Sequence, residues 1–287
     1  MSGEQHPAER TQTPMQKRVI WAIVMIALAV FALWTGGLVF CTVAAAVSCA
    51  TVFEISIVFH KKDIRPWLVP PYAFSALYPY LYLFWGIRPV IALYLVALFA
   101  AVIRMLFLQI TDASQIFAVF SIFVYPILFI SCTALVYLCF RRPYGITALT
   151  LCIGCASCAD AAALFGGMKF GKKKLCPKIS PKKTVAGSVS AFFGGVVFGG
   201  LTYFLQRLWG ASVPLLPLLL IGLLAGATSQ VGDLFASLIK RWGGIKDFSK
   251  LIPEHGGVLD RIDSTIATAP MVLGVFVLLQ YMDIIPW

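Results

Sequence analysis

The chain has 287 residues, 60% of them hydrophobic and 12% charged, with a mean hydropathy of +0.89. Soluble domains carry about 25% charged residues, so this composition excludes an ordinary soluble protein; apolar runs of roughly the 20 residues needed to cross a bilayer follow one another between short polar or Gly/Pro breaks. The formal charge of +11 would suit nucleic acid, but the basic residues flank apolar spans and no soluble basic domain exists to hold a duplex, so nucleic acid is not expected and a lipid bilayer with a phosphate-bearing substrate is.

The stretch Met1 to Arg18 is polar and ends in Lys17 and Arg18. A second apolar run follows the first at once, so the first reads as a retained span rather than a cleaved signal peptide. Expected spans lie roughly at 19–34, 38–59, 68–86, 89–108, 115–139, 145–166, 187–208, 213–239 and 264–284. This is an all-α, polytopic membrane helix bundle of about nine transmembrane helices. It divides into a cytoplasmic tail (1–18), an N-terminal transmembrane region (19–144) and a C-terminal catalytic region (145–287) with cytoplasmic loops at 168–186 and 240–263. Lys17/Arg18, His60 to Arg65 and both of those loops fall on one face, which positive-inside bias makes cytoplasmic. Arg141 and Arg142 fall on the other, so they are either a tolerated pair or the sign of a miscounted early span.

The front half carries little chemistry: Glu54, Arg104 and Asp112 are its notable charges, and interfacial or pairing roles are expected for them. The eight cysteines lie mostly in apolar segments and read as reduced packing residues. Cys152, Cys155 and Cys158 have a spacing seen in iron-sulfur ligation, but they lack a fourth Cys-Pro, and offsets of three and six spread around a helix.

Acidic residues are scarce, twelve in all, and six of them (Asp160, Asp233, Asp247, Glu254, Asp260, Asp263) fall in or beside the last two cytoplasmic loops. Offsets of four, seven and eight put Asp233, Ser237, Lys240 and Arg241 on one helical face. Asp260 and Asp263 share a face if the last helix begins early. Carboxylates without a Cys/His set suit magnesium, alone or with a second cation, because magnesium takes one or two protein carboxylates and completes its shell with water and substrate phosphates. Lys240, Arg241, Lys246 and Arg261 supply donors for phosphate oxygens, and the pairs Gly243-Gly244 and Gly256-Gly257 permit close backbone approach. His255 is either a base or ligand, or a loop residue orienting the glycine pair. Seven lysines lie between 169 and 183. They could simply hold the loop to anionic lipid, yet the interleaved Gly171, Pro177, Ser180, Pro181 and Thr184 fix turns and offer hydroxyls, which favours phosphate binding.

The stretch Ser237, Lys240-Arg241, Lys246-Asp247, His255-Gly256-Gly257, Asp260-Arg261 and Asp263, with the loop Phe170-Gly171-Lys172 through Ile179-Ser180-Pro181-Lys182-Lys183-Thr184, resembles the phosphatidate cytidylyltransferase (CDP-diacylglycerol synthase) family. The resemblance covers roughly residues 160 to 264. It implies attack of phosphatidate on CTP, a homodimer in the inner membrane and a polar active-site cavity facing the cytoplasm. It also implies metal ligands at Asp233 and Asp260 with Asp263 beside them, catalytic roles for Lys240, Arg241, Lys246, Asp247, His255, Arg261 and Asp263, and substrate contacts from Lys172, Ser180, Lys182, Lys183, Thr184 and Ser237. The chain departs from the family pattern at Ala186 (usually Glu), Glu254 (usually Gly) and Leu164 (commonly Tyr), none of which removes a metal carboxylate. A cytidylyltransferase for another lipid phosphate and a transporter of an anionic solute are the competing readings; the lack of an inverted repeat counts against the transporter.

Overall fold

The computed structural model describes residues 14–253 and 256–286. Its architecture is a helical bundle. Helices α1 (Pro14–Thr35), α2 (Gly37–His60), α3 (Val69–Trp85) and α4 (Ile87–Phe107) come first. A broken span follows, α5 (Ala113–Ile122), a π-helical segment (Phe123–Leu128) and α6 (Phe129–Leu138). Pro126 lies inside the π-segment, where its ring and missing N–H account for the kink and for the non-helical backbone at Tyr125. Helix α7 (Arg142–Phe170) leads into a short antiparallel hairpin, β1 (Lys174–Cys176) and β2 (Ser180–Thr184), and then α8 (Val185–Leu205), α9 (Leu215–Trp242) and α10 (Leu259–Tyr281) complete the bundle.

Seven segments among the described residues are long and apolar enough to cross a membrane, against an expected count of about nine. Each expected span is helical, α1 running over 22 residues from Pro14 to Thr35. Helix α3 has 17 residues, about 26 Å of rise against a hydrocarbon core of about 30 Å. The loops also narrow: α7 runs to Phe170 and α8 starts at Val185, while α9 runs to Trp242 and α10 starts at Leu259. The early start of α10 brings Asp260 and Asp263 onto one helix.

Arg141 and Arg142 lie on the face opposite the hairpin, and the guanidinium of Arg142 donates to the carbonyl of Trp34 at the α1–α2 turn. Arg142 therefore has a backbone acceptor at this end of the bundle. Glycines set the spacing of the C-terminal helices. A Cβ at Gly195 would meet the carbonyl of Gly222 at 2.0 Å, and one at Gly187 would meet the carbonyl of Ala163 at 2.5 Å, so α8 lies directly on the backbones of α9 and α7. Cys152 and Cys155 are buried in this packing, with Cys152 Sγ donating to the Thr265 carbonyl at 3.3 Å.

Candidate active site

A polar cavity of about 510 Å³ sits where α7, α8, α9 and α10 meet under the hairpin. Its wall carries five carboxylates (Asp160, Asp233, Asp247, Asp260, Asp263) and five cations (Lys174, Lys182, Lys183, Lys240, Arg261). Charge at this depth in a bundle is retained only when paired, and two pairs are in place. Lys183 Nζ lies 2.7 Å from Asp233 Oδ2, an ion pair without hydrogen-bond alignment. Lys240 Nζ donates to Asp260 Oδ1 at 2.7 Å.

Asp260 is also a backbone anchor. Its Oδ2 accepts from Phe248 N at 2.8 Å and Gly257 N at 3.0 Å, which folds the α9–α10 turn back onto the first turn of α10. Asp233 accepts from Ser237 Oγ at 3.4 Å, one turn along α9. Asp263 is buried and accepts from Ser264 N at 2.8 Å. Asp233 and Asp263 come together because Gly232 has no side chain: a Cβ there would stand 2.5 Å from the Asp263 carbonyl and 2.4 Å from Ala267 Cβ.

The hairpin explains which lysine-loop residues reach the cavity. Lys174 pairs with Thr184 at its base, against the helices, and Cys176 pairs with Ser180 at its tip. Lys174, Lys182, Lys183 and Thr184 accordingly line the cavity, and Thr184 also caps α8 by accepting from Gly187 N at 3.1 Å. Ser180 and Lys172 do not line it, nor do Ser237, Arg241 and Lys246. Arg241 instead donates from Nε to the Ile179 carbonyl at 3.4 Å, holding the hairpin to α9. Expected residues that do line the cavity are Lys182, Lys183, Thr184, Asp233, Lys240, Asp247, Asp260, Arg261 and Asp263. His255 and Glu254 lie outside the described residues.

The front half contributes more than the sequence suggested. Glu54 on α2 is fully buried and accepts from Ser249 Oγ at 2.6 Å, Val258 N at 2.7 Å and Leu259 N at 2.6 Å. Those two amides are orphan donors at the start of α10, where a carboxylate also complements the helix dipole. Gly257 belongs to this contact, since a Cβ there would stand 2.7 Å from Glu54 Oε1. A Cβ at Gly243 would likewise meet Val58 at 2.6 Å. One member of each glycine pair thus admits close packing against α2, where the sequence suggested approach to phosphate. Asp160, on α7, is a wall residue that motif reading gave no role; the available signal was an acid inside an apolar helix. Asp112 caps α5 through Ser114 N at 2.9 Å, and Arg104 lies 4.7 Å from the Trp67 ring centroid.

As a metal site the wall is chemically apt. Its ligands are all oxygen, the donor set of a hard divalent cation. Among the described residues no three His, Cys, Asp or Glu side chains group closely enough to hold an ion unaided. Magnesium tolerates this, because water and substrate phosphates complete its shell.

Residues 16–279 match the model of the cytidylyltransferase family, nearly the whole chain. The chain belongs to that family. Curated family relatives named phosphatidate cytidylyltransferase include those of Synechocystis sp. (42% identical over 139 residues, 48% of this chain and 45% of that protein) and Aquifex aeolicus (46% over 112 residues, 39% and 40%). A third, from Thermotoga maritima, is 33% identical over 177 residues, 59% of this chain and 63% of that protein. The chain spans about half the length of the curated relatives it matches. Membership of the cytidylyltransferase family and the several apolar helices agree on a multi-pass membrane protein.

Proposed function

We propose that the chain is a phosphatidate cytidylyltransferase, converting CTP and phosphatidate to CDP-diacylglycerol and pyrophosphate. The observation that carries this reading is the polar cavity at one end of the helix bundle, in which lysines are already matched to carboxylates. An oxygen of the phosphatidate phosphate attacks the α-phosphorus of CTP; the bond from that phosphorus to the oxygen bridging it to the β-phosphorus breaks, and pyrophosphate leaves with the electron pair. The nucleophile is ionised at neutral pH, so the protein's part is to position two anions and neutralise them.

Asp233 and Asp260, with Asp263, would hold magnesium, which when bound would supply positive charge to substrate phosphate oxygens. Lys183 and Lys240 then move from their aspartates to substrate phosphates, so charges paired with each other in the resting cavity are paired with ligand in the working one. Lys174, Lys182 and Arg261 supply further donors. To the same reading belong a homodimer as the working unit and an inner-membrane location with the cavity open to the cytoplasm, supported by the lysines on the cavity's face of the bundle.

The test is labelled CTP with purified protein and magnesium. Equal yields of CDP-diacylglycerol and pyrophosphate from phosphatidate are expected. A CDP-lipid formed only from another lipid phosphate would keep the chemistry and change the substrate, and no CDP-lipid from any would overturn the reading.

A further inference from the structure

An apolar cavity of about 550 Å³ lies on the other side of α9 from the carboxylates. The helix serves both: Asp233 and Lys240 line the polar cavity, while Phe235, Ile239 and Trp242 line the apolar one. Phe59 of α2 and Phe117 and Val124 of the kinked span complete the apolar wall. Phe117 and Val124 are exposed on the outer flank of the bundle, so the cavity opens toward the place of a bilayer's acyl chains.

Tyr125 stands at the seam. It lines the apolar cavity and meets Phe235 edge-on at 4.9 Å, within electrostatic range of Asp233, Asp260 and Asp263. Its ring is 4% exposed, and its hydroxyl has no hydrogen-bond partner among the described residues. A buried hydroxyl without a partner is costly, and one beside a binding site is accounted for by a ligand atom. The cavity volume falls in the range of about 300 to 1,000 Å³ typical of small-molecule sites between helices, enough for a flexible chain and too little for another helix.

We propose that this cavity holds an acyl chain of the phosphatidate whose headgroup occupies the polar cavity, with the Tyr125 hydroxyl donating to a headgroup oxygen between them. The inference rests on the lipid-phosphate reading above and adds where the lipid lies. It gives the kinked span, otherwise remote from the chemistry, a share in substrate binding, and α2 a second part beside its Glu54 contact with α10.

Photo-crosslinking tests it in bilayers, using the full chain and phosphatidate with a diazirine near the end of one acyl chain. Adducts are expected on Phe117, Val124 or Phe235, suppressed by excess unlabelled phosphatidate and not by phosphatidylcholine. No adduct in the cavity, or equal suppression by both lipids, would overturn the proposal. A kinetic arm uses Ser121→Trp, which adds bulk at a lining position of α5. It is expected to raise KM for dioleoyl phosphatidate relative to the dihexanoyl lipid by roughly tenfold, the effect of excluding two or three methylenes. An unchanged ratio would count against the berth. Tyr125→Phe, which keeps the ring, should raise KM for both lipids more than for CTP; equal shifts would make the hydroxyl merely structural. Absence of turnover in the unmodified protein counts against the assigned function, whereas normal turnover with an unlabelled cavity counts against the berth alone.

Discussion

Glu54 and Leu259 are joined by a 2.6 Å hydrogen bond across 205 positions of sequence, from the C-terminal third of α2 to the first residue of α10. With Val258 N and Ser249 Oγ on the same carboxylate, this contact fixes where the active-site end of α10 begins. Glu54→Ala leaves buried donors unmade, each costing about 1–3 kcal/mol, and is expected to lower both Tm in detergent and turnover. Glu54→Gln turns one acceptor oxygen into a donor facing N–H or O–H groups, so it should be intermediate in both. Wild-type Tm and rates in the alanine variant would remove Glu54 from this role.

The lysine loop divides by position. Lys182 and Lys183 line the cavity and Lys172 does not. Loss of a charge-assisted hydrogen bond to phosphate, about 1.5–3 kcal/mol, predicts a fall of roughly ten- to a hundredfold in kcat/KM for Lys182→Ala and Lys183→Ala. The deficit should appear in neutral detergent and anionic bilayers alike. Lys172→Ala should show a deficit only where anionic lipid is present, since a charge near such a surface is worth about 1 kcal/mol. Steady-state kinetics of the three variants in both media separates these outcomes, and equal behaviour of all three would return the loop to a surface tether.

Gly232→Ala is a steric probe of the α9–α10 approach. The new Cβ meets backbone of Asp263 and cannot be relieved by a side-chain rotation. Overpacking of this kind costs about 1–3 kcal/mol and should part Asp233 from Asp263, lowering turnover together with Tm. Gly274→Ala, where a Cβ meets nothing within 4 Å, is the matched control on the same helix pair and should change neither. Thermal melts and turnover measured side by side decide it.

Much of the bundle was legible because bilayer-crossing helices must satisfy their backbone internally and present apolar side chains, which hydropathy reads directly. Of the four residues that spacing put on one face of α9, Asp233 and Lys240 line the cavity, whereas Ser237 and Arg241 do not. Three features lay beyond that reading. Ser180 sits in the same motif as Lys182 and Thr184, but the register of the hairpin carries it to the tip. The role of Glu54 was hidden because its partners, a serine hydroxyl and two backbone amides, carry no sequence signature and lie about 200 positions away. The double glycines suggested phosphate approach, whereas Gly257 and Gly243 face α2; a glycine marks close approach without saying to what.

The central claim, that the carboxylate-lysine cavity is the reaction centre, is tested most directly by Asp233→Asn, assayed for CDP-diacylglycerol formation across a magnesium titration with Tm measured in parallel. Asp233 is held by side chains alone, ion-paired with Lys183 and accepting from Ser237, so the amide keeps the shape and removes the charge. Asp260→Asn is the less direct variant, because Asp260 also anchors the amides of Phe248 and Gly257 and its change should lower Tm as well as turnover. The account predicts that Asp233→Asn loses at least about a hundredfold in turnover, the scale of removing one strong electrostatic contact in a transition state, with the fold retained and a smaller fall in Tm than Asp260→Asn, because Lys183 and Asp233 are only partly buried. Turnover and magnesium dependence equal to those of the unmodified protein would contradict it.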